Sequence, residues 1–390
     1  MMKSTIFTIA AFMAATSLQA QSLADVLGSV ERNNTELKAL RKGNEAARLD
    51  LKQANNLDGL SVEYSPFFNS AARGIASSEL VVTQGFDFPT LYGARRKAAR
   101  LQGEAIDMQY RTARRDILLG AKQLCLDLIH MNKRRALLDE RRRAADELLA
   151  MYTEKYDGGE ATAIELNKVK MERMNLETEL AAAENDRAAA LQQLRAMNGG
   201  EQIECTDTLY PPLPADGDEA MYAQAVSADL PAMAAAASVK AAEQDVKVSR
   251  QGWMPKLEVG YRRNTDGTDA SNGFLIGGSI PLFANRHKVK AAKARQEEAR
   301  MMQADARIKA EASARTAVAD MARLRRSMAA YDVPLMRRTL SLLRTAVENG
   351  ELSVTDYYVE AAGVYRNMQA YIDLERQYHG AVAELTKNSL

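Results

Sequence analysis

The sequence contains little of what enzymes and metal proteins use for chemistry. Its 390 residues include two cysteines, three histidines and one tryptophan, and aromatic residues make up 6% of the chain. Cys125 and His130 are five positions apart, which sends their side chains to diverging sides of a helix. No phosphate-binding loop or nucleophile elbow is present. We therefore expect no metal, no cofactor and no enzymatic activity.

A strong net charge is also absent. The chain has 52 basic and 51 acidic residues, and its formal net charge is +1. The basic clusters at 133–135 and 141–143 alternate with acids along helical patterns, which is typical of solvated helix faces. This balance creates no general field for a polyanion, so nucleic acid is not expected as a partner.

Long apolar runs are missing as well. Beyond the N-terminus no stretch approaches 18 continuous apolar residues, so no helix is expected to span a membrane. Residues 1–20 combine Lys3, an apolar run over 6–15 and small residues ending at Ala20, which is typical of a secretory signal peptide. No cysteine follows directly, so a lipid anchor is not expected. We predict an exported chain.

The abundant residues predict long helices. Tracts rich in Ala, Glu, Lys, Arg and Leu are typical of long packed helices, and short alternating stretches between them predict strands. The longest helix of the first half should extend for roughly 95 Å. The first half is predicted to contain a helix over 23–57, strands near 60–65 and 79–88, a helix over about 93–156, a turn at Gly158 and Gly159, and a helix over 161–197.

The second half is predicted to repeat this order. Pro334 lies inside its long helix and is expected to kink or interrupt that helix, because proline lacks an N–H and clashes with the preceding turn. The second half is predicted to contain a helix over 219–251, strands near 256–262 and 274–282, a helix from 286 to about 345, a turn at Asn349 and Gly350, and a helix to about 388.

A strand, proline and basic helix start occur together twice. In residues 85–97 (GFDFPTLYGARRK) and 278–288 (GSIPLFANRHK), an alternating apolar run reaches a proline and then a basic cluster. Proline ends strand pairing and suits the first turn of a helix. The two prolines, Pro89 and Pro281, are 192 positions apart. Each copy therefore predicts a strand that passes into a helix.

A second pair of motifs repeats at nearly the same period. The turns at 156–160 (YDGGE) and 347–351 (VENGE) are 191 positions apart. We interpret the two pairs as a tandem duplication. The predicted repeats occupy 21–198 and 219–390, and the linker at 199–218 lies between them.

The predicted strands are apolar on one side only. In the second strand the alternation places Leu80, Val82 and Phe86 on one face, and Glu79 and Thr83 on the other. One interpretation is that the hairpins cap a soluble helical bundle. The other is a sheet in lipid, where each unpaired edge group costs several kcal/mol, so four strands cannot stand alone.

A lipid-embedded sheet would have to be completed by other copies of the chain. Two copies would supply eight strands with a filled interior, and three would supply twelve with room for a channel, so three are favoured. We expect neighbouring copies to complete the two ribbons, rather than the ribbons pairing edge to edge within one chain. We also expect their apolar side not to be covered by the chain's own helices.

These features resemble the outer-membrane efflux factor family of TolC-like channels. The resemblance rests on the paired repeats, the strand hairpins, the junctions at Pro89 and Pro281, and the glycine turns. It implies a mainly α fold with a small β part, in which a homotrimer forms a twelve-stranded outer-membrane barrel and a long periplasmic α-helical tunnel. It also implies docking to a periplasmic adaptor and an inner-membrane pump of the RND, MFS or ABC type, in efflux or type I secretion.

The resemblance also implies roles for residues near the turns. Asp356 matches an acid that rings the family's tunnel aperture, Glu360 lies one helical turn further on, and Glu165 follows the first turn. An ordinary acid in a first helical turn would explain Asp356 equally well. In the best-known member of the family an arginine locks the closed state of the tunnel, and Leu352 occupies that position in this sequence. The adaptor is expected to dock at the turns, which contain Gly158, Gly159, Asn349 and Gly350.

The two cysteines permit two interpretations. Cys125 lies about 35 residues along its predicted helix from Pro89, the depth at which the linker that holds Cys205 should also lie. A disulfide between them is plausible in an oxidising periplasm, and two unpaired thiols are the alternative.

The rival to a channel is a periplasmic coiled-coil adaptor or scaffold without a pore. Such a protein should lack amphipathic strand hairpins. The cargo of a channel could be drugs, metal ions or a polypeptide, and the sequence does not distinguish among them.

Overall fold

A computed structural model describes residues 22–68, 74–213, 217–282 and 285–390, so the predicted signal peptide lies outside the described residues. The chain is mainly helical with a small β part, as predicted, and its four strands form one sheet. The elements are α1 Leu23–Asn33, α2 Thr35–Gln53, β1 Ser61–Phe68, β2 Ile75–Phe86, α3 Pro89–Asp157, α4 Ala163–Met197, α5 Asp218–Ser227, α6 Leu230–Gln251, β3 Lys256–Asp266, β4 Asp269–Ser279, α7 Lys288–Met328, α8 Val333–Glu348 and α9 Val354–Leu385.

The described residues form two compact units. The hairpin unit contains 22–33, 121–213 and 327–379, and therefore α1, α4, α8 and parts of α3 and α9. The sheet unit contains the described residues of 34–120 and 214–326, together with 380–390. Each unit combines segments from both halves of the chain.

Two of the predicted helices are each split in two. The helix predicted over 23–57 is interrupted at Asn34, whose side chain accepts a hydrogen bond from the Leu37 N–H at 2.8 Å. The helix predicted over 219–251 is interrupted before Asp229, which accepts from the Ala232 N–H at 2.9 Å. Asn and Asp are preferred at this position because their side chains satisfy N–H groups that the new helix leaves unpaired.

The interruption predicted at Pro334 is confirmed. The long helix ends at Met328, and α8 begins at Val333 with Pro334 in its first turn. Asp332 caps α8, since its carboxylate accepts from the Leu335 N–H at 2.9 Å. N–H groups in the first turn of a helix have no intrahelical acceptor. Proline is tolerated there because it lacks an N–H that would have been unpaired in any case.

The sheet is antiparallel, and its strands are paired in the order β1-β2-β3-β4. β1 and β3 end three and four residues later than predicted. β2 and β4 begin four and five residues earlier than predicted, and they end two and three residues earlier. Pro66 lies inside β1, paired with Ser78, which is tolerated because β1 is an edge strand. The hairpin from β3 to β4 turns tightly at Gly267, whose φ is 56°, between the paired residues Asp266 and Asp269. Glycine at the first of the two loop positions is typical of a tight hairpin turn of type II′.

The expectation that the two ribbons do not pair within one chain is wrong. β2 pairs with β3 from Ser77 opposite Asp266 to Phe86 opposite Leu257. The backbone N–H and C=O groups of β2 and β3 that face each other are therefore hydrogen-bonded within one chain. Among the described strands, only the outer edges of β1 and β4 are left with unpaired backbone groups. No further strand pairs with either outer edge among the residues that the structure describes.

The two strand-to-helix junctions differ. Pro89 is followed by a helix, as predicted, but α3 begins at Pro89 itself, four residues before the predicted start at about 93. Pro281 is not followed directly by a helix, because α7 begins only at Lys288, and the residue before it, His287, has a φ of 69°. Residues 283–284 of this junction lie outside the described part of the chain.

Gly199 should be the most sensitive glycine of the hairpin unit. It ends α4 with a φ of 67°, and a Cβ at this position would lie 2.5 Å from the backbone oxygen of Asn33. Gly199→Ala should therefore lose more than the roughly 1–2 kcal/mol that a left-handed backbone costs other residues. Chemical unfolding of the detergent-solubilised protein, followed by its helical circular dichroism, measures this loss.

The matched control for this prediction is Gly200→Ala. Gly200 has a φ of 89°, but a Cβ there would meet open space. It should show the backbone cost alone, so equal losses in the two variants would contradict the role assigned to the contact with Asn33.

Candidate functional site

One face of the sheet carries rows of apolar side chains. The register aligns Val62, Val82, Tyr261 and Phe274 across all four strands. In the neighbouring rows on this face, Val259 pairs with Ile276 and Phe86 with Leu257, and Tyr64 pairs with Leu80. The same register also places the polar residues Gln84, Arg263 and Asn272 on this face.

This apolar face is uncovered. Phe274 is 92% exposed, Ile276 87% and Val62 63%, so no helix of the described chain lies over them. The expectation that the chain's own helices leave this side open is confirmed. An apolar surface of this size is typical of contact with a lipid or protein partner.

The opposite face is polar. The alternation and register place Glu63, Glu79, Glu258 and Arg262 on it, with Gly260 between the charged positions. The Arg262 Nε lies 2.9 Å from the Glu79 carboxylate. The two faces of the sheet therefore differ in polarity.

The two glycine turns of the hairpin unit have the same hydrogen bonds. At the first turn, the N–H groups of residues 160 and 161 donate to the Lys155 carbonyl at 2.7 and 3.1 Å. At the second, those of 351 and 352 donate to the Ala346 carbonyl at 2.8 and 3.2 Å. Gly159 and Gly350 have φ values of 77° and 76°, which glycine adopts without a steric cost. Gly158 and Asn349 precede them.

The helix that follows each turn is capped in a similar way. Glu165 accepts hydrogen bonds from the backbone N–H and the hydroxyl of Thr162, both at 2.8 Å, and its own N–H donates to that hydroxyl at 3.2 Å. The Thr162 donors lower the pKa of Glu165 below its usual value. Asp356 accepts from the Ser353 hydroxyl at 2.7 Å, and its N–H donates to that hydroxyl at 3.1 Å.

The predicted aperture acids therefore have a structural use in this chain. Asp356 and Glu165 complete helix caps, and Glu360 is exposed one turn further along α9. A single chain places Asp356 and Glu360 four positions apart, on one side of α9.

The helices on both sides of the two turns share one apolar cluster. Val169, Val347 and Val354 are fully buried in it. Leu352, which stands where the resemblance implies a locking arginine, packs against this cluster. The ends of the two helical hairpins are held together by apolar packing.

Sequence analysis missed two arginines that connect the hairpins. Arg141 lies 3.1 Å from Glu172 on α4, and its guanidinium lies 5.0 Å from the centre of the Tyr365 ring on α9. Arg344 on α8 lies 2.6 Å from Glu147 on α3. The alternating charges around 141–143 predict a solvated helix face. Arg141 differs from its two neighbours through its contacts with Glu172 and Tyr365.

Cys125 and Cys205 are close to each other in the hairpin unit. Both are buried free thiols, and the Cys205 Sγ lies 4.0 Å from the Cys125 carbonyl oxygen. The described residues contain no group of three or more His, Cys, Asp or Glu side chains that could hold a metal ion. None of the described helices is long and apolar enough to cross a membrane.

Solved structures of outer-membrane channels share this fold, which combines long helices with a small sheet. A membrane protein from Pseudomonas aeruginosa is similar with a TM-score of 0.77 and 19% identity over 94% of this chain and 89% of that one. The channel CmeC of Campylobacter jejuni gives 0.74 and 15% over 94% and 85%. The outer membrane protein VceC of Vibrio cholerae gives 0.74 and 16% over 94% and 95%.

The family comparison is more specific than the fold. Residues 222–388 match the model of the outer membrane efflux protein family. The predicted resemblance is confirmed, and the family is one of channels rather than enzymes. No curated protein matches the chain. Neither the fold nor the family supports the adaptor or scaffold without a pore.

Thr162 should stabilise the first helical hairpin through its hydroxyl. Thr162→Ala removes the hydroxyl from the cap of α4 and should cost about 1 kcal/mol of unfolding free energy. Thr178→Ala is the control, because Thr178 is exposed within the same helix and donates only to the Met174 carbonyl. Chemical unfolding should show a loss for the first variant and little change for the second, and the reverse order would contradict the capping role.

Proposed function

We propose that the chain is one of three identical subunits of a passive exit duct in the outer membrane, with a large periplasmic part. The observation that carries this proposal is the sheet, whose apolar face is exposed and whose outer edges lack a partner strand among the described residues. The match of residues 222–388 to the outer membrane efflux protein family supports the same function.

A sheet in lipid would need strands from other copies of the chain at its two outer edges. The hydrocarbon core offers no hydrogen bonds, so the unpaired backbone groups of β1 and β4 would each cost several kcal/mol there. Pairing β1 of one copy with β4 of the next removes this cost. β2, β3 and β4 have 12, 11 and 11 residues, which is enough to cross an outer membrane when tilted.

Three copies are favoured over two by the size of the barrel. Two copies would supply eight strands, whose interior is filled by side chains, whereas three would supply twelve and leave room for a channel. The polar face of the sheet, with Glu63, Glu79 and Glu258, would then line the pore.

The two halves of the chain are proposed to be structural repeats at 21–198 and 219–390. Support comes from the turns, where the hydrogen bonds of Lys155 with residues 160 and 161 recur 191 positions later at Ala346. The caps at Thr162 and Ser353 have the same separation.

The hairpin ends are proposed to form the periplasmic mouth of the duct. Three copies of Asp356 and Glu360 would ring the aperture with negative charge and favour cations, and Glu165 would add to it. A periplasmic adaptor would dock at the turns around Gly159 and Gly350. The energy would come from an inner-membrane pump of the RND, MFS or ABC type, in efflux or type I secretion.

The proposal predicts a membrane protein that requires detergent and behaves as a trimer. Membrane fractionation should place the chain in the outer membrane, and mass measurement after detergent extraction should give three subunits. A soluble monomer would overturn the proposal, because the apolar face and both outer edges would then have no partner.

Two neighbouring substitutions make this test specific to the sheet. Ile276→Arg puts a charge on the apolar face and should lower the amount of protein in the outer membrane, since a lipid-facing arginine costs about 2–4 kcal/mol near the midplane. Gly277→Arg puts the same charge on the opposite face, where a Cβ has ordinary space 3.8 Å from Glu258, and should insert normally.

The aperture acids should set the ion preference of the duct. The double variant Asp356→Asn, Glu360→Gln should show a lower ratio of cation to anion permeability, because the ring loses its charge while the Ser353 hydroxyl still caps α9 by accepting from the backbone N–H of residue 356. The reversal potential across a planar bilayer under a salt gradient measures this ratio. Glu298→Gln, an exposed acid of α7, is the control, and an equal change in both variants would contradict the aperture assignment.

A further inference from the structure

We propose that Cys125 and Cys205 form a disulfide that fastens the segment after α4 to α3. They are the only two cysteines of the chain, and both are buried, at 0% and 4% exposure. The Cys205 Sγ lies 4.0 Å from the Cys125 carbonyl oxygen. The structure holds both as thiols, so the bridge is the oxidised form of this pair.

Neighbouring side chains hold Cys205 in this position. The Asn132 amide of α3 donates to the carbonyl oxygens of Cys205 and Asp207 at 3.1 and 2.9 Å. Arg187 of α4 donates to the Asn132 side-chain oxygen at 2.8 Å and orients that amide. Ile203, two residues before the cysteine, is 2% exposed. The segment is therefore packed on α3 in a fixed register, and the two sulfur atoms stay in reach of each other.

The predicted location supplies the reaction partner. The periplasm oxidises protein thiols through thiol–disulfide exchange with protein disulfides. A thiolate of one cysteine attacks the oxidant's disulfide and forms a mixed disulfide. The thiolate of the other cysteine then attacks the first, which forms the Cys125–Cys205 bond and releases the oxidant as a dithiol. The pair loses two protons and two electrons, and the oxidant gains both electrons.

The surroundings of Cys125 indicate when this bond forms. Cys125 and Cys205 are both buried in the folded chain, so a protein oxidant cannot reach either thiol once the segment is in place. We therefore infer that the bond forms during folding, before the segment closes over α3.

The bond would close a large loop. The two cysteines are 80 positions apart, so the bridge restricts a long part of the unfolded chain, including the turn at Gly158 and Gly159. It would hold the linker segment against α3 while the helical hairpin forms.

Thiol labelling of the full-length protein tests the proposal. The protein is isolated from the cell envelope, denatured in detergent without reductant and treated with an alkylating maleimide, and its peptides are analysed by mass spectrometry. We expect no label on either cysteine before reduction, label on both after reduction, and a cross-linked peptide pair in the unreduced sample. Label on both cysteines without reduction would overturn the proposal.

Substitution separates a covalent bridge from simple packing. Reduction should lower the unfolding temperature of the wild type by on the order of 5 °C. The double variant Cys125→Ala, Cys205→Ala should not respond to reductant, and Cys205→Ala alone should leave Cys125 open to labelling without reduction. If the wild type had the same unfolding temperature with and without reductant, the bridge would be contradicted. Neither result bears on the trimer or on its ion preference, so the channel proposal is tested separately.

Discussion

The structure depends on how the backbone groups at the edges of its sheet are satisfied. Within one chain, the inner edges of β2 and β3 pair with each other, and the outer edges of β1 and β4 have no partner strand among the described residues. In water such edges could be hydrated, but in hydrocarbon they cannot. Because the adjoining face is exposed and apolar, the proposed place of the sheet in lipid would require another strand at each outer edge.

The hairpin unit solves a different problem, which is how to end long helices without leaving polar groups unpaired. Each turn uses a glycine with positive φ, two N–H groups that share one carbonyl, and a hydroxyl that caps the next helix. Apolar packing around Val169, Val347 and Val354 then joins the ends of both hairpins. Arg344 and Glu147 form an exposed ion pair, which contributes at most about 1 kcal/mol. Arg141 and Glu172 are half-buried, so their contact is better shielded from water.

Much of the fold could be predicted because its signals are local. Apolar alternation identified all four strands, and glycine and proline identified both hairpin turns, the start of α3 and the interruption before α8. The breaks at Asn34 and Asp229 were missed because one capping residue hardly changes a helical apolar pattern. The ends of β1 and β3 were placed too early because Pro66 and the charged residues after Tyr261 resemble a loop, although an edge strand or a water-facing strand end accepts them.

The candidate site was only partly predictable, because the roles of its residues depend on contacts that the local sequence does not show. The acids Asp356 and Glu165 could be found from their positions after the turns, but their use as caps depends on the distances to Ser353 and Thr162. The importance of Arg141 depends on Tyr365, which is more than two hundred positions away in the chain and has no local signal.

By itself, the sequence determined the helices, the turns and the one-sided character of the strands, since these follow from side-chain alternation and from the backbone freedom of glycine and proline. Only the tertiary structure decided that β2 pairs with β3, that Cys125 meets Cys205 and that Arg141 lies against α9. Each of these contacts joins residues far apart in the chain, and long-range pairing depends on how whole elements pack rather than on any pattern within one of them.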